Sequence, residues 1–476
     1  MNARIVTGLK AVQIVAGRPD PTAPMSVGAI ASQLGATLSS ASRLCSELET
    51  VGFLERGETY GSYRIGRAAI RLSGRAAAPL THTLRLALTL AAQQTGETVC
   101  LAARSEGGIR IIASVESLWT LHSPAEIGEV VSNEASAIRS VFDGDGVDPG
   151  QDGPRYIEST IGMSVEVAAP IVSPSGERVA VVAVRLPANR SGQNLARARR
   201  AVVVARRSIE SALEDSLVAP RPAAQRAAAP LAVESSATTP SALEAAFRVL
   251  SHLAAGRDSI AATARAIGLR ADRTQRIIDA CQEAGFVWAG AGRGEFQLGW
   301  IVSGWHRAAA APTIVERGAP LVAAMANRTL TCSFITVLKG MRSFTLVEEL
   351  ELAGEGLQML RWLGRAHPII GSDGGPTMLM DFTAEEVTAL FPTRHTQREL
   401  DVFLKRMRHV VRHGVLSMQA FEEGGLVSIS APVRDSSGAV AAAACIVGTT
   451  DYMRQNAEEF ERAAVQLAAE VTELLA

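Results

Sequence analysis

The chain has 476 residues, 47% hydrophobic and only 4% aromatic, with 47 basic and 48 acidic side chains and a formal net charge of −1. That length exceeds what one hydrophobic core organises and implies three or four domains. The charge balance excludes a uniformly basic nucleic-acid coat, and no run approaches twenty apolar residues. Met1 to Pro19 carries Arg4, Lys10 and Arg18 without a signal-type apolar core, so a cytoplasmic location is expected. Five cysteines scattered through apolar contexts fit buried thiols better than a disulfide framework or a zinc site.

In chain order, residues 2–16 predict a helix through Ile5, Leu9, Val12 and Val15. Val27, Ile30, Ala31 and Leu34 then fall at helical spacing, and so do Ala41, Leu44, Cys45 and Leu48 after a break at Gly35. Ser26 is placed to cap the first of these helices and Gly52 to stop the second. The following FLERGETYGSYRIG reads as a short hairpin with a glycine-containing turn, which makes a winged helix-turn-helix. The whole of 26–66 recurs at 259–299 with a constant offset of 233: Gly35 matches Gly268, Arg43 matches Arg276, and Gly66 matches Gly299. A gapless match of that length marks a duplicated unit.

Residues 67–94 predict linker helices broken near Pro79. From Glu97 the period turns strand-like, with ETVCLAAR and IRIIASVES as a hairpin answered by LTCSFITVLKG and MRSFTLVEELE in the second copy. Cys100 and Cys332 fall at matching places in this alignment. A later strand pair around Pro170 is answered around Pro432 at an offset of 262, so the first copy lacks about thirty residues and keeps a bare loop at 143–156. Each copy closes on an amphipathic helix. Residues 216–240 hold four prolines and no period and read as a linker.

Charge is distributed unevenly. Residues 1–80 carry nine Lys/Arg against five acids, and residues 241–310 carry eight Arg against six, so each winged helix is a basic island. In this motif the N-terminal end of the second helix enters the major groove. The residues expected on DNA are Ser39, Ser40, Ser42 and Arg43 in the first copy, and Arg270, Arg273, Thr274, Gln275 and Arg276 in the second. Arg64 and Arg293 on the wings are expected to reach phosphate.

Taken together, SSASRLCSELETVGFLER with YRIG, RTQRIIDACQEAGFV with FQLG, and LGRAHPIIGSDGGPTML, RHGV and EEGGLVSISAPVRDSSGAVAAAACIVG resemble IclR-type transcriptional regulators, twice over and across nearly the whole chain. The resemblance implies a mixed α/β (α+β) fold. Its segments are a winged helix-turn-helix (1–75), a shortened GAF-like α/β effector-binding domain (76–215), the linker (216–240), a second winged helix-turn-helix (241–311) and a full effector-binding domain (312–476). It also implies a repressor that binds a double-stranded DNA operator and answers to a small-molecule metabolite, with no membrane partner and no cofactor.

In the second copy the resemblance places effector contacts at Ser372, Gly374, Gly375, Ser428 and Cys445. Pro376 stands where the family usually has lysine, so a weakly polar effector is expected. In the first copy, Glu166 opposite Arg185 reads first as a pocket that is filled and self-neutralised, with a rewired ligand site as the alternative. Two winged helices per chain imply an intrachain pair, and a homodimer carrying four. Two rival classes stay in view. His409 and His413 share a helix face, but no nearby acid completes a metal site and arginines surround them, so no catalytic or metal residue is expected. Leu38 and Ala271 begin the recognition helices without the usual basic residue, which leaves open a ligand-sensing scaffold whose winged helices bind protein.

Overall fold

The computed structural model describes residues 2–105, 107–144, 156–218, 240–290, 292, 294–354, 356–391, 395–420 and 424–476. They fall into two compact units, Met1–Ala309 and Ala310–Ala476. The expected linker and the expected bare loop lie almost wholly outside the described residues.

The first unit opens with α1 (Asn2–Ala16), β1 (Met25–Ser26), α2 (Val27–Leu34), α3 (Leu38–Thr50), β2 (Leu54–Arg56) and β3 (Ser62–Ile65). The order recurs as α7 (Ala242–Ala254), β9 (Asp258–Ser259), α8 (Ile260–Ile267), α9 (Ala271–Glu283), β10 (Val287–Ala289) and β11 (Glu295–Leu298). The Ser26 and Ser259 hydroxyls accept from the Ala29 and Ala262 amides, each at 3.2 Å. The turn between the two helices needs a left-handed residue, which Gly35 (φ 61°) and Gly268 (φ 70°) supply. Each wing is more than the expected hairpin, because a third short strand pairs alongside in the orders β1-β3-β2 and β10-β11-β9.

The two winged helices share one continuous core. Phe53 meets Phe247 of α7 edge to face, ring centroids 4.8 Å apart. Gly8 on α1 makes room for Leu243, whose Cδ2 would lie 2.5 Å from a Cβ there. The Ser73 hydroxyl donates to the Val302 carbonyl at 2.6 Å and accepts from the His306 amide at 3.1 Å, joining positions one repeat offset apart.

Between the winged helices in sequence lie α4 (Arg67–Thr95), β4 (Thr98–Ser105), β5 (Gly108–Val115), α5 (Ala137–Asp143), β6 (Ile157–Ile161), β7 (Ser164–Val172), β8 (Arg178–Pro187) and α6 (Ser191–Val218). The expected break at Pro79 is absent, since α4 runs unbroken through it. An interior proline costs roughly 3 kcal/mol. Burial of Ile70, Leu72, Ala77, Leu84, Leu88 and Ala91, on a helix packed along α6, outweighs that cost. The strands form an antiparallel sheet in the order β5-β4-β8-β7-β6.

The second unit is a six-stranded sheet in the order β14-β13-β12-β17-β16-β15. Its strands are β12 (Cys332–Lys339), β13 (Arg342–Glu349), β14 (Ala366–Pro368), β15 (Leu416–Gln419), β16 (Leu426–Arg434) and β17 (Val440–Thr449). One face, through Ile335, Ile429, Ala444 and Ile446, packs on a helical layer of α11 (Ala319–Thr329) and α16 (Ala457–Leu475). The other face lies under a loop and the short α12 (Gly375–Met378), backed by α14 (Gln397–His413).

Strand register corrects one sequence match. Cys100 faces Ala183. Ala183 matches Cys445 at the 262 offset of the later strands, and Cys445 faces Phe334. Cys332 instead faces Val447. Cys100 and Cys332 therefore lie two residues apart in the register.

Candidate DNA interface and effector pocket

The first recognition helix, α3, starts on a Thr37 cap whose hydroxyl oxygen accepts from the Ser40 amide at 3.3 Å. Ala41, Leu44, Cys45 and Leu48 are buried, which turns Ser39, Ser40, Ser42 and Arg43 outward together. Leu38, 58% exposed, stands at the same end. Arg64 is a different case. It lies on β3 with its guanidinium 3.4 Å from Glu55 and only 15% of the side chain exposed, because a mid-strand position faces the sheet's neighbours instead of the wing tip. At that tip, Tyr60 is 99% exposed, a residue that a search for basic side chains passes over.

The second recognition helix, α9, is spent differently. Asp272 pairs with Arg270 and with Arg276, each at 3.3 Å. Gln275 donates to Asp279 at 2.6 Å, and Arg273 donates to the Pro240 carbonyl at 2.8 Å. Thr274, expected on DNA, is fully buried and donates to the Arg270 carbonyl at 3.1 Å. Its position on the apolar stripe with Ile277, Ile278 and Cys281 explains this, since a threonine methyl packs as a small hydrophobe. Arg293 lies outside the described residues.

In the second unit a cavity of roughly 280 Å³ opens between the sheet and the loop. Phe334 and Thr336 from β12, Ser343 and Thr345 from β13, and Val447 from β17 form its floor, and Trp362, His367, Ser372 and Asp373 form its wall. Of the five expected effector contacts, Ser372 lines this cavity. Gly374 and Gly375 do not: Gly374 lets the loop lie directly on the strands, and Gly375 lets the loop turn tightly on itself. A Cβ at Gly374 would come 2.8 Å from Thr336 Cγ2 and 2.9 Å from Ala443 Cβ, and one at Gly375 would come 2.2 Å from the Ile369 carbonyl. Close by, Thr377 Oγ1 sits 2.8 Å from Ser430 Oγ. Ser428 and Cys445 are fully buried and form no part of the lining. The alternation of hydroxyls with apolar residues along β12 and β13 was the signal for the floor residues that sequence reasoning missed.

In the first unit the corresponding strand positions carry an ion pair, but the pocket is not filled as expected: a cavity of roughly 410 Å³ stays open beside Glu166 and Arg185. Glu166 is 1% exposed; one carboxylate oxygen accepts from Arg185 Nε at 2.9 Å, the other from the Ser136 hydroxyl at 2.5 Å and the Ile138 amide at 3.1 Å. Arg185 also donates to Glu129 at 2.8 Å and to the Pro124 carbonyl at 2.9 Å. Burial opposes the Arg185 charge, but the fields of Cys100, Glu166 and Glu129 outweigh it, and the guanidinium titrates above its ordinary value. Among the described residues no group of His, Cys, Asp and Glu is placed to hold a metal ion. Among the described residues no helix is long and apolar enough to cross a membrane.

Two family models match the chain. The IclR helix-turn-helix domain matches residues 8–58, and the bacterial transcriptional regulator IclR C-terminal domain matches residues 307–473. No curated protein matches. Solved structures that resemble the chain include a putative IclR transcriptional regulator from Silicibacter sp. TM1040, at 18% identity over 50% of this chain and 96% of that one, TM-score 0.38. Pseudomonas aeruginosa HmgR resembles it at 19% identity over 49% and 96% of the two chains, TM-score 0.35. The Thermotoga maritima IclR does so at 16% identity over 49% and 98%, TM-score 0.31.

Proposed function

We propose that this chain, an IclR-family transcriptional regulator with a helix-turn-helix DNA-binding domain and an effector-binding C-terminal domain, carries both parts in tandem and reads its operator with an intrachain pair of winged helices. The observation that carries the reading is the shared core in which Phe53 meets Phe247 and Gly8 receives Leu243. In a dimeric regulator such contacts come from two subunits; here one chain supplies both sides. The two heads then divide the work. The first presents Ser39, Ser40, Ser42 and Arg43, with the acid one turn on, Glu47, engaged by Arg4, and supplies base readout. The second presents Arg270 and Arg276 tied to Asp272 and contributes chiefly phosphate contact. Effector sensing belongs to the second α/β domain, while the first keeps a cavity of roughly 410 Å³ whose Glu166 and Arg185 are already paired with each other. The chain acts as a repressor and pairs with a second copy to present four winged helices.

Fluorescence anisotropy of the full chain on DNA from upstream of its own gene tests this. The expected result is sequence-selective binding whose affinity falls steeply with salt. Binding equal to that on random DNA in wild type, and unchanged in both Ser40→Ala and Arg43→Ala, overturns the DNA reading and favours the scaffold alternative, to which the exposed Leu38 and the self-paired α9 lend themselves.

A further inference from the structure

The cavity of the first α/β domain is walled by the loop between β5 and α5, by the turn joining β6 and β7, and by residues of β7 and β8. That loop is fixed along β5. The Gly128 amide donates to the Ile111 carbonyl at 2.8 Å, and the Ile111 and Val131 amides donate to the Glu129 and Ile109 carbonyls at 3.0 and 2.9 Å. The cavity is therefore pre-formed, and its roughly 410 Å³ falls inside the range of small-ligand pockets, roughly 300 to 1,000 Å³. Its apolar lining is open to solvent: Leu121 and Met163 are 60% and 80% exposed, Val130 is exposed too, and Pro124, Ile161 and Pro187 continue the surface.

The charges of the lining are spent on one another. Arg185 binds Glu166 through Nε, and its Nη1 donates to both oxygens of Glu129 at 2.8 and 3.1 Å. All four carboxylate oxygens thus accept hydrogen bonds, and the surplus acid, Glu129, keeps 35% of its side chain in water. His122 is engaged at Nδ1, 3.1 Å from the Trp119 carbonyl oxygen. Arg190, which donates to the Leu121 carbonyl in the wall, is held by two bonds of 2.7 Å to Glu97. The Ser123 hydroxyl is not spent in this way. It accepts from the Ser164 hydroxyl at 2.8 Å, and its own proton finds no acceptor among the described residues. Ser123 is 8% exposed and lines the cavity, so that unmet donor is buried where a ligand oxygen would satisfy it.

We propose that this cavity is a second ligand site, taking an uncharged molecule with an apolar body and one ketone or alcohol oxygen. The body covers Leu121, Val130 and Met163, and the oxygen accepts from Ser123. A carboxylate would compete for Arg185 with two acids that already hold it, and an ammonium would compete with Arg185 for their oxygens. Either ion gives up water without gaining a free counter-ion. A neutral molecule disturbs neither bond, and burial of its apolar surface drives it in. The site is additional to the sensor of the second α/β domain and does not depend on it.

Heptan-2-one, heptanoate and heptylamine, similar in length and different in charge, separate the possibilities by calorimetry on the full chain without DNA. Heptan-2-one is expected to bind on the order of tenfold more tightly than either ion. Ser123→Ala should weaken the ketone by roughly fivefold, and Val130→Trp, which crowds the mouth, should weaken it as well. Should either variant fail to fold, the comparison of the three probes on wild type still decides. Heptanoate or heptylamine binding as tightly as the ketone overturns the uncharged class. No binding of any of the three overturns the site, and ketone binding that both variants leave intact lies elsewhere in the chain and overturns it too. Each of these failures leaves the sensor assigned to the second domain standing.

Discussion

At the scale of single residues, exposure and pairing decide which side chains are available to DNA. Ser40 and Arg43 point outward on α3, with no acid in the first two turns of that helix. Alanine at either should weaken operator binding by roughly 1–3 kcal/mol, and the Arg43 change should also lower the salt slope by about one if it contacts phosphate. Thr274→Val should leave affinity unchanged, because the hydroxyl it removes already donates to the Arg270 carbonyl. The thiols obey the same logic of burial. Cys45 is pushed up to about 11 and Cys100 to about 12, each with burial as the leading cause. A group whose folded pKa is raised keeps its contribution below the unfolded value, near 9, and loses it as pH climbs through the folded one. Denaturation midpoints should therefore fall between about pH 9 and 12. A thiol reagent at pH 8 should label the native chain slowly and the unfolded chain at all five cysteines.

At the scale of elements, close backbone approach matters more than side-chain chemistry. The loop over the second sheet lies flat because Gly374 brings no Cβ against Thr336 and Ala443, and it turns tightly on itself because a Cβ at Gly375 would come 2.2 Å from the Ile369 carbonyl. Gly375→Ala should lift that loop, cost on the order of 1–3 kcal/mol by overpacking, and abolish ligand binding while leaving DNA binding in place. Thermal melting and calorimetry on the same sample check both halves. In the winged helix, Ser26→Ala removes the cap of α2 and should cost about 1 kcal/mol in urea denaturation.

At the scale of the whole molecule, duplication changes what symmetry must provide. A 50.1 kDa chain that already holds two packed winged helices needs one partner, not three, to present four. Light scattering should give about 100 kDa at micromolar concentration; a monomer or a tetramer would count against the pairing. Footprints should show two unequal half-sites per chain, since α3 and α9 present different side chains, arranged as a palindrome across the two chains.

The repeat offset, the capping serines, the left-handed glycines and the two apolar stripes were legible in the sequence because each depends on neighbours within a turn or two of chain. The opposition of Glu166 and Arg185 was also legible, since strand alternation is local in the same way. Tertiary structure decided what depends on distant partners. Pro79 stays inside α4 because packing along α6 supplies more than the proline takes away, a comparison no local window contains. Asp272 claims Arg270 and Arg276, and Thr274 turns to the core, although all four sit where a recognition helix would meet DNA. Ser428 and Cys445 stand on the sheet face where ligand contacts were expected, yet the loop's glycines bring backbone down onto that face and move the cavity toward Trp362, His367 and Asp373. Strand period assigns a side chain to a face; what covers that face depends on how closely another stretch of backbone can approach it.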